Sequence, residues 1–194
     1  TERRKLPIKG ANLKGVVQAM DFLKLNNEYV DGNRSFEEII QATDKNVIVI
    51  GGGDTGSDCI GTSNRHGAKS VTNFEILDKP TNGRPANQPW PFWPMKMKTS
   101  SSHQEGVQRF WSISTKEFLG DENGNLTGLV TCEVEWIFKD GERPQLKQLP
   151  GTDKTWPCDL VLLALGFTGP GTPIVKELGL ETDFRTNIKA TTKD

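Results

Sequence analysis

Residues 46–77, NVIVIGGGDTGSDCIGTSNRHGAKSVTNFEIL, contain the pattern that decides the fold. An apolar run leads directly into a cluster of glycines, and a stretch able to form a helix continues to the glycine at position 67. A second run, rich in β-branched and aromatic residues, then ends at an acidic residue. This order predicts a strand, a helix and a second parallel strand, which together form one crossover unit of a parallel sheet.

Three glycines in this stretch, Gly51, Gly53 and Gly56, fit the spacing G-x-G-x-x-G. The first permits a tight turn, the second lets a pyrophosphate approach the backbone, and the third lets the helix pack closely on the strand. The helix that follows presents free amide groups and the positive end of its dipole to phosphates. The glycine-rich turn is therefore predicted to bind a dinucleotide.

The acidic residue at the end of the second strand, Glu75, indicates which dinucleotide is bound. A carboxylate there accepts hydrogen bonds from the adenosine ribose and repels a 2′-phosphate, whereas sites for NADP(H) place an arginine nearby. Ile76 and Leu77 follow Glu75, so we expect NAD(H) to be preferred over NADP(H). Lys79 and Arg84 oppose this prediction, because a flexible loop could bring them close to a 2′-phosphate.

The glycine pattern is also compatible with a packing role and with FAD. A glycine-rich turn between a strand and a helix can serve packing alone, and Glu75 would then be an ordinary strand carboxylate. The same fingerprint also binds FAD, although FAD-binding flavoproteins commonly carry it at the start of the chain. The combination of strand, glycines, helix and terminal acid favours a nucleotide site, and its position favours NAD.

The composition argues against several classes of protein. The 24 basic and 25 acidic residues nearly cancel, so no overall field attracts nucleic acid or an anionic membrane. The apolar runs are far shorter than the roughly 20 residues that a membrane span needs. Cys59, Cys132 and Cys158 form no CxxC pair, which argues against disulfides and cysteine-ligated metals. Cys158 could be partly exposed. We expect a soluble, intracellular protein of the cytoplasm or an organelle.

The remaining segments of the chain support an α/β fold. Residues 15–27, GVVQAMDFLKLNN, show helical spacing, and residues 79–105 carry five prolines that predict a long loop or a lid. Two β-rich runs between 107 and 138 flank GDENGN and predict an antiparallel hairpin. The apolar run at 159–165 suits a strand buried on both faces, and a short helix is expected at 174–178.

We therefore predict an α/β fold in three layers, a Rossmann-like FAD/NAD(P)-binding domain with a β-meander crossover. Its parallel sheet is expected to contain residues 46–50, 71–76 and 159–165. The aromatic and proline cluster at 90–94 could cover the nucleotide, pack the loop down or contact a neighbouring domain. Because it would otherwise be a costly exposed patch, we expect the contact with a neighbouring domain.

The sequence also resembles a known family over nearly its whole length. The segments that carry the resemblance are RKLPIKGANLKGVVQAMDFLKLNN, the stretch from VIVIGGGDTG to NFEIL, NQPWPFWP, SSHQEGVQRFWSISTKEFLGDENGNLTGL and CDLVLLALGFTGP. In this order they are similar to the pyridine-nucleotide half of the small subunit of glutamate synthase. The resemblance is strongest to the NADH-dependent type, in which this unit forms the carboxy-terminal part of a fused polypeptide.

This resemblance implies a function. In that family the module is inserted in an FAD-binding domain, and NAD(P)H passes a hydride to FAD. Electrons then travel through iron–sulfur clusters to FMN, where 2-oxoglutarate and glutamine-derived ammonia become glutamate. Glu75 stands where NADPH-type relatives carry an aromatic residue followed by two arginines, which again indicates NADH. The partners implied are the FAD domain and the glutamate synthase large subunit or the equivalent amino-terminal part.

The resemblance also implies a set of cofactor-binding residues. His66 and His103 have no second metal ligand or catalytic partner nearby in the sequence, so we expect no catalytic residue and no metal ligand in this chain. Most of the set surrounds the nucleotide phosphates, and Gly166 would lie close to the cofactors where the chain crosses back to the FAD domain. The expected cofactor-binding residues are Gly51, Gly52, Gly53, Asp54, Thr55, Gly56, Glu75 and Gly166.

The sequence departs from the family pattern because it contains neither the amino-terminal FAD fingerprint nor the cysteine clusters of the small subunit. We expect an inactive fragment of a larger oxidoreductase, with an incomplete FAD site. Residues 1–45 would be a linker and helix facing the FAD domain, 46–169 the NAD(P)-binding domain, and 170–194 the return segment. The alternatives are a module of another FAD-dependent oxidoreductase, ferredoxin:NAD(P) or sulfide-linked, and a non-catalytic nucleotide-binding fragment.

Overall fold

The structure is a computed structural model that describes residues 1–86, 88–91, 96–139, 141, 144–184 and 186–190 of the 194-residue chain. The chain divides into two compact units. One unit is Ile8–Ala164, and the other combines Thr1–Pro7 with Leu165–Asp194.

The regular elements in the described part of the chain are strands, short helices and one 3-10 turn at Phe36–Glu38. The strands are β1 (Glu2–Arg3), β2 (Val16–Gln18), β3 (Asn46–Ile50), β4 (Ser70–Phe74), β5 (Gln108–Phe110), β6 (Ile113–Gly120), β7 (Leu126–Ile137), β8 (Gln145–Gln148), β9 (Lys154–Pro157), β10 (Leu160–Leu163) and β11 (Phe167–Gly169). The helices are α1 (Ala19–Val30), α2 (Gly53–Arg65), α3 (Ser101–Gln104) and α4 (Thr172–Glu177). No helix among the described residues is both long enough and apolar enough to span a bilayer.

A five-stranded parallel sheet forms the centre of the larger unit, in the order β2-β10-β3-β4-β5. In register, Ile48 of β3 lies between Val161 of β10 and Thr72 of β4. The prediction that 46–50, 71–76 and 159–165 share one parallel sheet is therefore confirmed. β3 and β10 are nearly continuous apolar runs, as expected for strands covered on both faces.

The three predicted layers are present in this unit. Val47 and Val49 face a core that also contains Phe22 of α1 and Ile60 of α2, so the helices cover one face of the parallel sheet. A second sheet joins β6, β7 and β8, and β9 also pairs with β7, all antiparallel. The ring of Phe74 in β4 lies 4.9 Å from that of Trp156 in β9, which brings this second sheet against the parallel sheet.

The hairpin predicted over residues 107–138 needs correction at its start. Residues 108–110 form β5, the edge strand of the parallel sheet, and the antiparallel hairpin begins only at Ile113. Between the two strands, Ser112 has a φ of 54°, in the left-handed region that non-glycine residues rarely adopt. A β-rich sequence does not reveal which sheet each of its parts joins.

The amino-terminal helix also begins later than its apolar spacing predicts. Residues 16–18 form β2, whose Val16 pairs with Val161 of β10, and the helix starts at Ala19. β-branched residues suit a pleated strand better than the first turn of a helix, and here pairing with β10 decides between the two.

Burial raises the pKa values of two cysteine thiols. Cys59 on α2 is buried, as expected for a small core residue, and burial raises the pKa of its thiol to about 12. The expectation that Cys158 could be partly exposed is wrong, because it precedes the buried strand β10 and is only 1% exposed. Burial raises the pKa of the Cys158 thiol to about 12 as well.

The smaller unit is built on an antiparallel pair of short strands. Glu2 of β1 pairs with Gly169 of β11, and the backbone N–H of Arg4 donates to the carbonyl of Gly166 over 3.0 Å. The helix expected at 174–178 is present as α4, with a proline in its first turn. The assignment of residues 1–45 and 170–194 to contacts with an FAD domain stays a prediction.

Candidate functional site

A cavity of about 350 Å³ lies at the carboxyl ends of β3, β4 and β5, where ligands bind in open parallel α/β sheets. Three groups of residues line it: the glycine-rich turn with the start of α2, the ends of β4 and β5, and the segment before α3. The first group includes Gly52, Gly53, Asp54, Gly56 and Ser57, the second Glu75 and Arg109, and the third Lys96, Lys98, Ser100 and His103.

The glycine-rich turn has the geometry that its spacing predicts. Gly51 and Gly53 have φ values of 102° and 72°, which favour glycine, and the N–H of Gly51 donates to the carbonyl of Phe74 over 2.8 Å. A Cβ on Gly56 would lie only 2.9 Å from the carbonyl oxygen of Gly51. A side chain at Gly56 would therefore force the helix away from the turn.

The turn leaves room for a phosphate group. α2 has thirteen residues, and among the described residues no side chain makes a capping hydrogen bond at its amino terminus, Gly52. A Cβ built on Gly53 meets no atom of a described residue within 4 Å, so the described part of the chain leaves space beside the backbone. Free amide groups, a helix dipole and open space fit a pyrophosphate.

Glu75 closes over the same turn from the end of β4. A Cβ on Gly52 would lie 2.8 Å from Oε2 of Glu75, so only glycine at this position lets the carboxylate come so close. Nη2 of Arg109 donates to Oε1 of Glu75 over 3.0 Å, and the two side chains are 14% and 21% exposed, respectively. The carboxylate is therefore fixed next to the position that a dinucleotide would occupy.

Most of the site residues predicted from the sequence come together in this cavity. Gly52, Gly53, Asp54, Gly56 and Glu75 line it. Gly51 forms the turn behind it, and Thr55 lies in the first turn of α2. Gly166, with a φ of 75°, belongs to the smaller unit, where its carbonyl binds the backbone of Arg4. That each of these residues contacts a cofactor stays a prediction.

The cations at the cavity differ from those that the sequence suggested. Nζ of Lys79 lies 5.1 Å from the centre of the Trp111 ring, and Nη1 of Arg84 donates to the carbonyl of Gln88 over 3.1 Å. Neither residue is among the described residues that line the cavity, whereas Lys96, Lys98 and Arg109 are. Sequence reasoning missed Arg109, because its position follows only once β5 is placed beside β4.

The segment before α3 forms the opposite wall and is tied to α2. Oγ of Ser57 and Oγ of Ser100 are hydrogen-bonded, and Ser100 and His103 form a capping box at the start of α3. The proposed lid at 79–105 thus contributes a wall of the cavity through its last residues. Residues 92–94 of its aromatic and proline cluster at 90–94 lie outside the described part of the chain.

His103 accepts hydrogen bonds through one ring nitrogen. The backbone N–H of Ser100 donates to Nδ1 over 3.2 Å, and Oγ of Ser100 lies 2.7 Å from the same atom. Burial, followed by the positive charge of Arg109, lowers the pKa of His103 below its ordinary value of 6.5. Protonation of Nδ1 would remove the acceptor that the Ser100 N–H needs.

We therefore expect low pH to destabilise the segment of Ser100 and His103 and to lower the free energy of unfolding. The pKa of His103 is lower in the folded protein than in the unfolded chain, so near the ordinary pKa the unfolded chain binds more protons. The stability of the fold is therefore retained above the ordinary pKa and is lost as the pH falls through it. The free energy of unfolding, measured with urea, should fall between about pH 7.5 and pH 5.5, and His103→Gln should reduce the fall. An equal fall in both proteins would contradict this role of His103.

Comparisons with known proteins show the family to which this chain belongs. The family described as pyridine nucleotide-disulphide oxidoreductase matches residues 1–193. Glutamate synthase [NADH] of Schizosaccharomyces pombe is 42% identical over 100% of this chain, and the chain spans 10% of that relative. The glutamate synthase [NADPH] small chain of Mycobacterium tuberculosis is 39% identical over 97% of the chain, which spans 38% of it.

Solved structures share the fold at low sequence identity. FprA of Mycobacterium tuberculosis, solved with a covalently modified NADP+, superposes with a TM-score of 0.63 at 16% identity, over 94% of this chain and 50% of that one. Thioredoxin reductase of T. acidophilum superposes with a TM-score of 0.53 at 17% identity, over 100% of this chain and 50% of that one. The match over residues 1–193 shows that this chain belongs to the pyridine nucleotide-disulphide oxidoreductase family.

Proposed function

We propose that this chain is the NADH-binding module of a glutamate synthase-type flavoprotein, which presents NADH so that its nicotinamide delivers a hydride to FAD. The observation that carries the proposal is the cavity in which the uncapped start of α2 and the carboxylate of Glu75 face one ligand position. Similarity to glutamate synthases over the length of the chain supports the type of enzyme. The FAD domain and the large subunit, or the equivalent amino-terminal part, would be its partners.

The dinucleotide would bind with its pyrophosphate at the start of α2 and its adenosine ribose at Glu75. Backbone amide groups of the glycine-rich turn and the helix dipole would stabilise the phosphate charge. Oε2 of Glu75, which faces the turn, would accept hydrogen bonds from the ribose hydroxyls. The same carboxylate would disfavour the 2′-phosphate of NADPH, which supports a preference for NADH.

Nucleotide titration tests this proposal directly. We expect isothermal titration of the protein to show saturable binding of NADH and weaker binding of NADPH, because a like charge would face the 2′-phosphate. Adenosine, which lacks the pyrophosphate, should bind more weakly than either dinucleotide. Absence of saturable binding of both dinucleotides would contradict the proposed function.

A second measurement separates a redox module from a simple nucleotide-binding module. In the complete flavoprotein, NADH should reduce the bound flavin, which is observed as loss of its visible absorbance under anaerobic conditions. Binding of NADH with no reduction of the flavin would favour the non-catalytic alternative.

A further inference from the structure

We propose that Arg109 is a positioning and specificity-determining residue of this nucleotide site. It fixes the carboxylate of Glu75 towards the ribose, and its positive charge weakens the rejection of a 2′-phosphate. The inference rests on the proposed function, since it concerns the choice between the two dinucleotides at the same cavity.

The guanidinium of Arg109 is held on three sides. Nη2 donates to Oε1 of Glu75 over 3.0 Å, and Nη1 donates to the carbonyl of Lys98 over 2.9 Å. Its Cζ lies 4.9 Å from the centre of the Trp111 ring, within the range of a cation–π contact. These contacts, at a side chain that is 14% exposed, fix the position of the charge.

The bond to Arg109 leaves the two oxygens of Glu75 in different situations. Oε1 accepts from Arg109, whereas Oε2 lies nearer the position that a Cβ on Gly52 would take, at 2.8 Å against 3.5 Å for Oε1. The bond from Arg109 to Oε1 thus orients the carboxylate. Oε2 faces the glycine-rich turn and stays available for the ribose, which would lie beside Glu75 in a bound dinucleotide. Arg109 acts on the ribose through Glu75.

The same pairing reduces the net charge that a 2′-phosphate would meet. The carboxylate of Glu75 alone would repel a 2′-phosphate. The guanidinium of Arg109, however, lies within hydrogen-bonding distance of that carboxylate, and Lys96 and Lys98 also line the cavity. At short range in water, one unit charge changes binding by about fivefold. The site should therefore prefer NADH while still binding NADPH.

Three variants test the inference through the ratio of the dissociation constants of NADPH and NADH. Arg109→Gln removes the charge, and Arg109→Lys keeps the charge but loses the planar fork that binds Glu75 and Lys98 together. Arg65→Gln is the matched control, because Arg65 pairs with Glu105 over 2.8 Å and does not line the cavity. Circular dichroism and thermal unfolding establish that each variant is folded.

We expect Arg109→Gln to weaken NADH binding and to weaken NADPH binding more, so that the ratio rises about fivefold. Arg109→Lys should weaken NADH binding and leave the ratio within about twofold of the parent, and Arg65→Gln should change neither quantity. If Arg109→Gln fails to fold, Arg109→Lys tests the positioning role on its own. An NADH affinity in that variant equal to that of the parent would overturn the role.

Equal weakening of both dinucleotides in Arg109→Gln would overturn the specificity role, because a purely structural arginine would affect them alike. That failure is distinct from failure of the proposed function, in which the parent protein itself binds neither dinucleotide. In the latter case the inference falls with the function on which it rests.

Discussion

Replacement of Gly53 by alanine is expected to weaken NADH binding by about a hundredfold while costing only about 1–2 kcal/mol of stability. Gly53 has a φ of 72°, so a Cβ there brings moderate backbone strain. None of the residues that the structure describes has an atom within 4 Å of that Cβ, so this part of the fold has room for it. The methyl group would occupy the space through which the pyrophosphate approaches the amide groups of α2.

The far end of α2 offers a matched control for this change. Gly67 has a φ of 77°, and within the described ranges a Cβ built on it also meets no atom within 4 Å, but Gly67 is not among the residues that line the cavity. Gly67→Ala should therefore lose a similar amount of stability and keep the NADH affinity of the parent. Chemical unfolding and isothermal titration of both variants measure the two effects. Equal NADH affinity in Gly53→Ala and Gly67→Ala would show that the turn does not hold the phosphates.

The crossover unit at 46–77 could be predicted from the sequence because its signals are local. The apolar run gives β3, the glycine spacing gives the turn, and Gly67 ends the helix in the left-handed conformation, with a φ of 77°. Each of these depends on neighbours within a few residues. The glycine-rich half of the candidate site can therefore be predicted before any tertiary contact is known.

The second half depends on strand pairing over long sequence separations. Arg109 reaches Glu75 because β5 pairs in parallel with β4, which sets Arg109 opposite Asn73. The periodicity of 107–119 is equally compatible with the first strand of a hairpin, and the break at Ser112 has no marker such as glycine or proline. The wall formed by Ser100 and His103 likewise depends on a loop closing against α2.

The exposed residues after β4 show how a local pattern and tertiary contacts combine. Ile76 and Leu77 are 42% and 43% exposed, so arginines could replace them with little loss of packing. Their lack of charge is the local basis for the predicted preference for NADH. In the structure Arg109 and Lys98 line the candidate cavity, so the proposed balance between the dinucleotides would depend on more cations than the local sequence contains.

Substitution of Glu75 by glutamine should move the preference towards NADPH, lowering the ratio of the dissociation constants of NADPH and NADH by about fiftyfold. Glutamine keeps the shape of the side chain but loses the charge-assisted hydrogen bonds to the ribose, which weakens NADH binding by about tenfold. It also removes the repulsion of the 2′-phosphate and leaves Arg109 without its anionic partner, which strengthens NADPH binding by about fivefold.

Isothermal titration of both dinucleotides measures this ratio, and Glu105→Gln is the matched control, since Glu105 pairs with Arg65 away from the cavity. An unchanged ratio in Glu75→Gln would reduce Glu75 to a strand-end carboxylate that only anchors Arg109. The two substitutions in the pair have opposite consequences: loss of the carboxylate favours NADPH, and loss of the guanidinium favours NADH. A general loss of structure would not separate the two dinucleotides in opposite directions, so this sign reversal is the property by which a charge pair that selects the nucleotide can be recognised.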